Sequence, residues 1–130
     1  MTDLEKAREY FSGDRFATEN GAVIEELGDG YAICSLHLED RHKNALGNVM
    51  GGAVFMLADF AFAVAANFGK KTTVSSTGSI TFLKATKGST LYARAEAIKE
   101  GRSSVYYEIT VTDDKGTLVA RVTASGQIIG

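Results

Sequence analysis

The sequence predicts an α+β domain in which an antiparallel sheet of about six strands wraps around one long central helix. Two observations support this prediction. The segment 53–67 is apolar on almost every side, which is typical of a helix buried over most of its surface. The segments around it alternate between apolar and polar residues, as half-buried strands do. The 130 residues, 45% of them hydrophobic, suffice for a single domain over residues 1–130 whose core needs no disulfide.

The amino-terminal segment is predicted to form a short helix followed by a β-hairpin. Apolar residues at helical spacing over residues 4–11 indicate the helix, and Ser12-Gly13 ends it. The hairpin would combine strands over residues 16–27 and 31–38, joined by the turn signal Gly28-Asp29-Gly30. Alternation places four residues of the second strand on one face, namely Ala32, Cys34, Leu36 and Leu38.

The central helix follows a polar, irregular stretch over residues 39–49. Met50-Gly51-Gly52 opens it, and the run 53–67 is rich in Ala, Leu and Met, which favour helix over strand. The run is short for a membrane span and is interrupted by Asp59. We therefore expect a sheet, rather than lipid, to cover this helix.

Four further strands are predicted over residues 72–83, 90–100, 102–112 and 117–129, with turn signals between them. Consecutive strands joined by short turns form an antiparallel sheet. The third of them presents an apolar face made of Val105, Tyr107, Ile109 and Val111. The chain contains no proline, and long unprotected strands at a sheet edge tend to pair with another chain. We therefore expect at least a homodimer.

Composition and charge restrict the cellular context and the class of ligand. The single cysteine, Cys34, lies in an alternating apolar stretch and is expected to be a buried, reduced thiol. The first residues resemble neither a secretory leader nor a transit peptide, so we expect a cytoplasmic protein. Residues 1–69 hold 5 Lys and Arg against 11 Asp and Glu, whereas residues 70–130 hold 9 against 5. These scattered cations argue against a nucleic-acid partner and suit the phosphates of a small anionic ligand. Solvated strand faces are the alternative explanation for each cation.

Asp59 is the first candidate for a chemical role. It lies about eight residues beyond the two glycines, too far into the helix to cap it. Burying an unpaired carboxylate costs several kcal/mol, so Asp59 must be paired, protonated or exposed to a cleft. A structural aspartate bonded to hydroxyls or to a basic partner is the alternative to a functional one.

The start of the helix is the second candidate. Gly51 and Gly52 leave backbone N–H groups uncovered by side chains, and a helix N-terminus favours a developing oxyanion. Two glycines before a helix can also serve only a tight entry with close backbone packing. The argument for function therefore depends on the combination with Asp59.

This combination belongs to a longer pattern. Asn44, Gly47, Met50-Gly51-Gly52 and Leu57-Ala58-Asp59 resemble N-x-x-G-x-x-H-G-G followed by L-A-D, found in hotdog-fold acyl-CoA thioesterases of the phenylacetyl-CoA thioesterase-like branch. The spacing matches throughout, and the strand order agrees over nearly the whole chain. The resemblance implies a hotdog dimer with two active sites at the subunit interface, and two dimers are expected to form a homotetramer.

The resemblance also implies roles for individual residues. Asp59 would be the general base or the nucleophile, and the backbone N–H of Gly51 would hold the thioester oxygen. Asn44 would place the water or the aspartate. Ser75 matches a position where some relatives carry an orienting hydroxyl, although Ser76 and Thr77 are equally close in sequence.

Substrate contacts are expected around the same helix. Met50, Gly52, Val54, Phe55 and Phe60 would line the acyl pocket, although core packing is the ordinary role of such apolar residues. The candidates for CoA phosphate contacts are Lys84, Lys87 and Arg102, which could equally be solubilising surface residues.

The sequence therefore predicts hydrolysis of an acyl-CoA thioester to free acid and CoA, without a cofactor. The family usually has histidine at the position of Met50. This difference supports an alternative hypothesis, a hotdog protein that binds acyl-CoA without efficient turnover. A hotdog dehydratase is a second rival, but it would need a histidine beside the carboxylate. His37 and His42 lack neighbours at metal-ligand spacing, so no metal is expected, and neither G-x-S-x-G nor a dinucleotide fingerprint occurs.

Overall fold

The computed structural model describes residues 1–130 as one six-stranded sheet folded around one long helix. The helices are α1 (Asp3–Phe11), α2 (Arg15–Glu19) and α3 (Gly51–Asn67), and the strands are β1 (Ala22–Gly28), β2 (Tyr31–His37), β3 (Thr73–Phe82), β4 (Thr90–Glu100), β5 (Ser104–Asp113) and β6 (Leu118–Ile128). All pairings are antiparallel, in the order β1-β2-β4-β5-β6-β3. The predicted α+β architecture is confirmed.

Helix α2 is the element that the sequence analysis missed. Residues 16–20 were expected to begin the first strand, but the backbone N–H of Thr18 donates to the carbonyl oxygen of Asp14 at 3.0 Å. The hydroxyl of Thr18 donates to the same oxygen, and the side-chain amide of Asn20 donates to the carbonyl oxygen of Phe16 at 2.7 Å. Side chains that bond to nearby backbone groups stabilise a turn of helix over an extended strand. Strand β1 therefore begins only at Ala22.

Helix α3 is buried against the inner face of the sheet, mainly against β2 and β4. The phenol hydroxyl of Tyr107 donates to the carbonyl oxygen of Ala65 at 3.3 Å, and its ring meets Phe62 edge to face. The helix ends at Asn67, whose side-chain amide donates to the carbonyl oxygens of Ala63 and Thr73. The predicted inward faces are buried, including Cys34 in β2 and Tyr107 in β5, but β2 ends at His37 and Leu38 beyond it is only partly buried.

The two edges of the sheet differ in how they are covered. At β1, the guanidinium of Arg8 in α1 donates to the carbonyl oxygen of Ile24 at 2.9 Å. At β3, most side chains from Val74 to Phe82 are exposed and no element packs along the outer edge. No helix has both the length and the apolar character to cross a membrane. Helix α3 also contacts α2 and the edge strand β3.

Candidate active site

The first turn of α3 offers two unpartnered backbone donors. Met50 provides no side-chain cap, and the N–H groups of Ala53 and Val54 both donate to its carbonyl oxygen. The N–H groups of Gly51 and Gly52 have no acceptor within the chain. Because the helix dipole adds partial positive charge at the same end, this turn favours an oxygen that carries negative charge.

A cavity of about 640 Å³ opens beside Gly51. Its walls are the first turn of α3, the loop before it and the loop after β3. Lys43, Lys84 and Lys87 line it, and none of the three forms an ion pair within the chain. The ring of Phe82 covers Gly51 so closely that a Cβ at residue 51 would lie 2.8 Å from its Cζ. This cavity therefore combines free cationic side chains with a free N–H donor.

A buried carboxylate holds the loop that carries two of these lysines. Asp113 is 4% exposed, and its Oδ2 accepts hydrogen bonds from the backbone N–H groups of Lys87 and Gly88 and from the hydroxyl of Thr86. Its Oδ1 accepts two more from the turn before β6. Burial opposes ionisation of Asp113, but these hydrogen bonds to the carboxylate outweigh it and hold its pKa well below the ordinary value. The loop after β3 is thereby fixed to the end of β5.

Asn44 organises the loop that enters α3. Its side-chain oxygen accepts from the backbone N–H groups of Leu46 and Asn48 at 3.0 and 3.1 Å. Gly47 has a φ of 86°, in the left-handed region that favours glycine. The side-chain oxygen of Asn44 is thus used within its own loop, while its amide nitrogen has no acceptor in the chain. Asn44 does not line the cleft that contains Asp59.

Asp59 lies in a separate cleft of about 420 Å³ between α2 and α3. Its carboxylate is exposed to the cleft and has neither a hydrogen bond nor an ion pair in the chain. Of the three environments predicted for Asp59, namely paired, protonated or exposed to a cleft, the third is therefore the one observed. Arg15 lines the same cleft but pairs with Glu19. Partial burial and then the nearby charge of Asp14 raise the pKa of Asp59, and burial also raises the pKa of Asp14. Asp59 is therefore a carboxylate without a structural partner and of increased basicity.

Within one chain, Asp59 is far from the N–H of Gly51, although Gly52 lines the Asp59 cleft. The eight-residue separation between Gly51 and Asp59 corresponds to about 12 Å along the helix axis and about 80° around it. A reacting carbonyl group needs a donor and an attacking group each about 3 Å away. No single carbonyl group can therefore meet both groups within one chain.

Met50 lines a third cavity, of about 240 Å³, together with His42. Met50 is 49% exposed, whereas His42 is 3% exposed. The Nδ1 of His42 lies 2.9 Å from the backbone N–H of Glu39 and its Nε2 lies 2.6 Å from the carbonyl oxygen of Asn20, so the ring accepts at Nδ1 and donates at Nε2. Both ring nitrogens are hydrogen-bonded within the chain. The imidazole of His42 therefore does not take the place of the family histidine, whose position Met50 holds. No cluster of three or more His, Cys, Asp or Glu residues could hold a metal ion.

The other residues considered from sequence lie in different places. Val54 and Phe60 are buried in the core and also line the Gly51 and Asp59 cavities respectively, while Phe55 packs against Gly78 of β3 beside Asp59. Ser75 is exposed on β3 and makes no side-chain hydrogen bond, whereas the hydroxyl of Ser76 donates to the carbonyl oxygen of Ser125.

Arg102 lies in the turn between β4 and β5. Lys87 precedes the other end of β4, so the length of this strand separates the two cations by about 30 Å. Arg102 cannot share a ligand with Lys84 and Lys87 in the same chain, and its role in CoA binding stays a prediction that requires a second chain.

Three cavity-lining residues were not singled out from sequence, namely Asp14, Phe16 and Lys43, and neither was Asp113, which anchors the loop after β3. Phe16 was the first residue of a predicted strand, and Asp14 lay between the predicted first helix and that strand. Lys43 directly precedes Asn44 of the motif, and this position could have indicated that it contributes to the site. Asp113 follows the last residue of a predicted strand, which is where turn-forming aspartates are common.

Comparisons with known proteins agree with this geometry. The thioesterase superfamily model matches residues 46–120. A putative esterase of Archaeoglobus fulgidus is 32% identical over 119 residues, which cover 90% of this chain and 77% of that protein. The acyl-coenzyme A thioesterase PaaI of Escherichia coli is 28% identical over 127 residues, covering 97% and 91%.

Solved structures give the same result. The structure of E. coli PaaI superposes with a TM-score of 0.91 at 27% identity, covering 98% of this chain and 94% of that one. A Streptococcus mutans protein solved with bound acetyl-CoA gives a TM-score of 0.78 at 25% identity, covering 82% and 87%. The predicted hotdog fold and family are thereby confirmed: the chain belongs to the thioesterase superfamily and is a thioester hydrolase.

Proposed function

We propose that this protein hydrolyses acyl-CoA thioesters to a free acid and CoA, in active sites that two chains of a homodimer complete. The observation that carries the proposal is Asp59, a carboxylate with no partner and a raised pKa, which lies in an apolar cleft. PaaI of E. coli is named an acyl-coenzyme A thioesterase, and the S. mutans relative was solved with acetyl-CoA, which supports CoA as the carrier.

The separation of the two reacting groups supports the proposed dimer. Because Gly51 and Asp59 of one chain lie about 12 Å apart along α3, the donor of one chain would act with Asp59 of the partner subunit. The exposed edge of β3 supports pairing with a second chain, since open strand edges pair readily. Two such dimers would form the expected homotetramer.

The chemistry at this composite site is ordinary acyl transfer. The thioester oxygen would accept hydrogen bonds from the N–H of Gly51, which stabilise the negative charge that develops on it. Asp59 of the partner subunit would take a proton from a water molecule whose oxygen attacks the carbonyl carbon. The C–S bond then breaks, and the CoA sulfur leaves as a thiolate that receives a proton. Direct attack by Asp59, giving an anhydride that water cleaves, is the alternative order of the same steps. Neither order requires a cofactor.

The assignments of the remaining residues follow from their positions. Lys43, Lys84 and Lys87 are proposed to contact the phosphates of CoA, because they are unpaired cations beside the N–H of Gly51. The apolar cleft with Phe55 and Phe60 would hold the acyl group, and Asn44 would use its free amide to orient the water or the partner's Asp59. Ser75 stays a predicted orienting hydroxyl. The single buried cysteine, Cys34, supports the expected cytoplasmic location.

Two alternative functions have different structural requirements. A hotdog protein that binds acyl-CoA without turnover would suit Met50 in place of histidine. A dehydratase would need an imidazole beside the carboxylate, and His42, with both nitrogens bonded, does not supply one.

The decisive experiment follows the release of free thiol from aryl, short-chain and long-chain acyl-CoAs. The protein's own thiol does not interfere, since burial raises the pKa of Cys34 to about 12 and keeps it protonated. Asp59→Asn and Asp59→Ala are expected to lose turnover, while the exposed Asp29→Asn serves as a matched control. Undiminished turnover in both Asp59 variants would contradict its role, and binding without turnover of every thioester would favour the non-catalytic rival.

A further inference from the structure

The Asp59 cleft and the Met50 cavity share one wall. Phe16, Gly52 and Met56 line both spaces, which otherwise have different linings. Gly52 contributes no side chain, and a Cβ at this position would meet no atom within 4 Å. Phe16 and Met56 are therefore the two side chains in the partition between the two spaces, next to the backbone of Gly52.

These two side chains differ in how firmly they are held. Met56 is 9% exposed and belongs to the core, whereas Phe16 is 76% exposed and its ring has no aromatic partner. Phe16 also sits on α2, a helix of five residues in which only Ala17 is buried. The part of the partition that a ligand can displace, or a mutation can remove, is thus the ring of Phe16.

The space beyond the ring is compatible with an extended apolar chain. Met50, Ala53 and Met56 supply apolar surface to the Met50 cavity, and Asn20, Arg41 and His42 supply its polar groups. The Asp59 cleft on the near side is lined by Phe55, Phe60 and Ala63. Without the ring of Phe16, only Met56 and the backbone of Gly52 would remain between the two spaces, so the opening from one into the other along α3 would widen.

From this geometry we propose that Phe16 is a specificity-determining residue that limits the length of the acyl group. This inference rests on the proposed function. The preferred substrates are those whose acyl group ends at the ring of Phe16. Longer chains must displace this ring to enter the Met50 cavity. Removal of the ring selectively raises kcat/KM for long-chain substrates, because their additional methylene groups gain apolar contacts that are blocked in the wild type.

The test compares kcat/KM for saturated acyl-CoAs from acetyl to palmitoyl. Phe16→Ala is expected to raise the long-to-short ratio of kcat/KM by about tenfold or more, and Phe16→Trp to lower it. Tyr10→Ala, which removes an equally exposed aromatic ring of α1 outside both cavities, is expected to leave the profile unchanged. An unchanged length profile in both Phe16 variants would overturn the proposal.

A binding measurement separates this proposal from the proposed function. Thioether analogues, S-alkyl-CoAs of increasing length, cannot be hydrolysed, and their affinities can be measured by calorimetry. If the wild type hydrolyses nothing, a length cut-off in binding that Phe16→Ala removes would still support the inference while the proposed function fails. The inference itself would be overturned if the wild type showed no length cut-off in binding, or if none of the analogues bound.

Discussion

Replacement of Gly51 by proline tests the oxyanion donor without altering the helix. Gly51 is the first helical residue, where proline is well tolerated, and its N–H has no acceptor in the chain that could be lost. Met50 already has φ −69° and ψ 140°, the extended conformation that a residue before proline requires. We therefore expect Gly51→Pro to fold with the thermal stability of Gly51→Ala, since both place a Cβ against the ring of Phe82, and yet to lack one hydrogen-bond donor.

The size of the effect follows from what remains at the helix start. Only the N–H of Gly52 and the helix dipole would be left, and the loss of one oxyanion donor typically costs about 100- to 1,000-fold in kcat, or roughly 3–4 kcal/mol. Gly51→Ala is the matched control, since it places the same Cβ against the ring of Phe82 but keeps the N–H. Stopped-time assays of thiol release measure kcat for both variants. Equal kcat values for Gly51→Pro and Gly51→Ala would refute the role of the donor.

Mixed dimers test whether the two groups belong to different chains. A chain with Asp59→Asn retains the Gly51 donor, and a chain with Gly51→Pro retains Asp59, so their heterodimer would contain one complete site. A heterodimer isolated with two different affinity tags should recover about half of the wild-type activity per dimer, although each parent is inactive. If the heterodimer is as inactive as its parents, both groups act within one chain and the proposed dimer is wrong.

Two further predictions concern titrating carboxylates. Because Asp14 raises the pKa of Asp59, Asp14→Asn should shift the acid limb of the pH profile of kcat/KM to lower pH; a shift to higher pH, or none, would contradict this electrostatic coupling. Asp113→Asn should lower the free energy of unfolding at pH 7 by about 1–3 kcal/mol, because an amide group cannot accept all five hydrogen bonds. Since the pKa of Asp113 is lowered on folding, its contribution is present above about pH 4 and fades below that value, so denaturant unfolding should show the two proteins converging in acid. A gap that stays constant with pH would indicate that the charge of Asp113 is unimportant.

The regular parts of the fold were predictable because local patterns determine them. Alternation in β2 and β5 fixes which side chains face the core, and a run of apolar residues as long as 53–67 can be buried only if other elements surround it. Helix α2 was not predictable in this way. Phe16 is apolar but exposed, so this segment resembles an alternating strand in sequence, whereas hydrogen bonds from Thr18 and Asn20 stabilise a helix.

The candidate site was predictable only in part. Gly51, Asn44 and Asp59 are close in sequence and form a motif, so they could be identified without coordinates. Asp14 and Asp113 are distant from that motif and carry no pattern of their own. Their importance depends on which loops pack side by side, and long-range packing is not recorded in local spacing.

The sequence by itself determined that one carboxylate lies in an apolar helix opened by two glycines, because composition and spacing are properties of the chain. Only the tertiary structure decided that Asp59 faces a cleft with no partner, whereas the imidazole of His42 is fully bonded. It also decided that Gly51 and Asp59 open into different cavities on α3. Burial, pairing and orientation depend on residues far apart in the chain, and these contacts exist only after the sheet has closed around the helix.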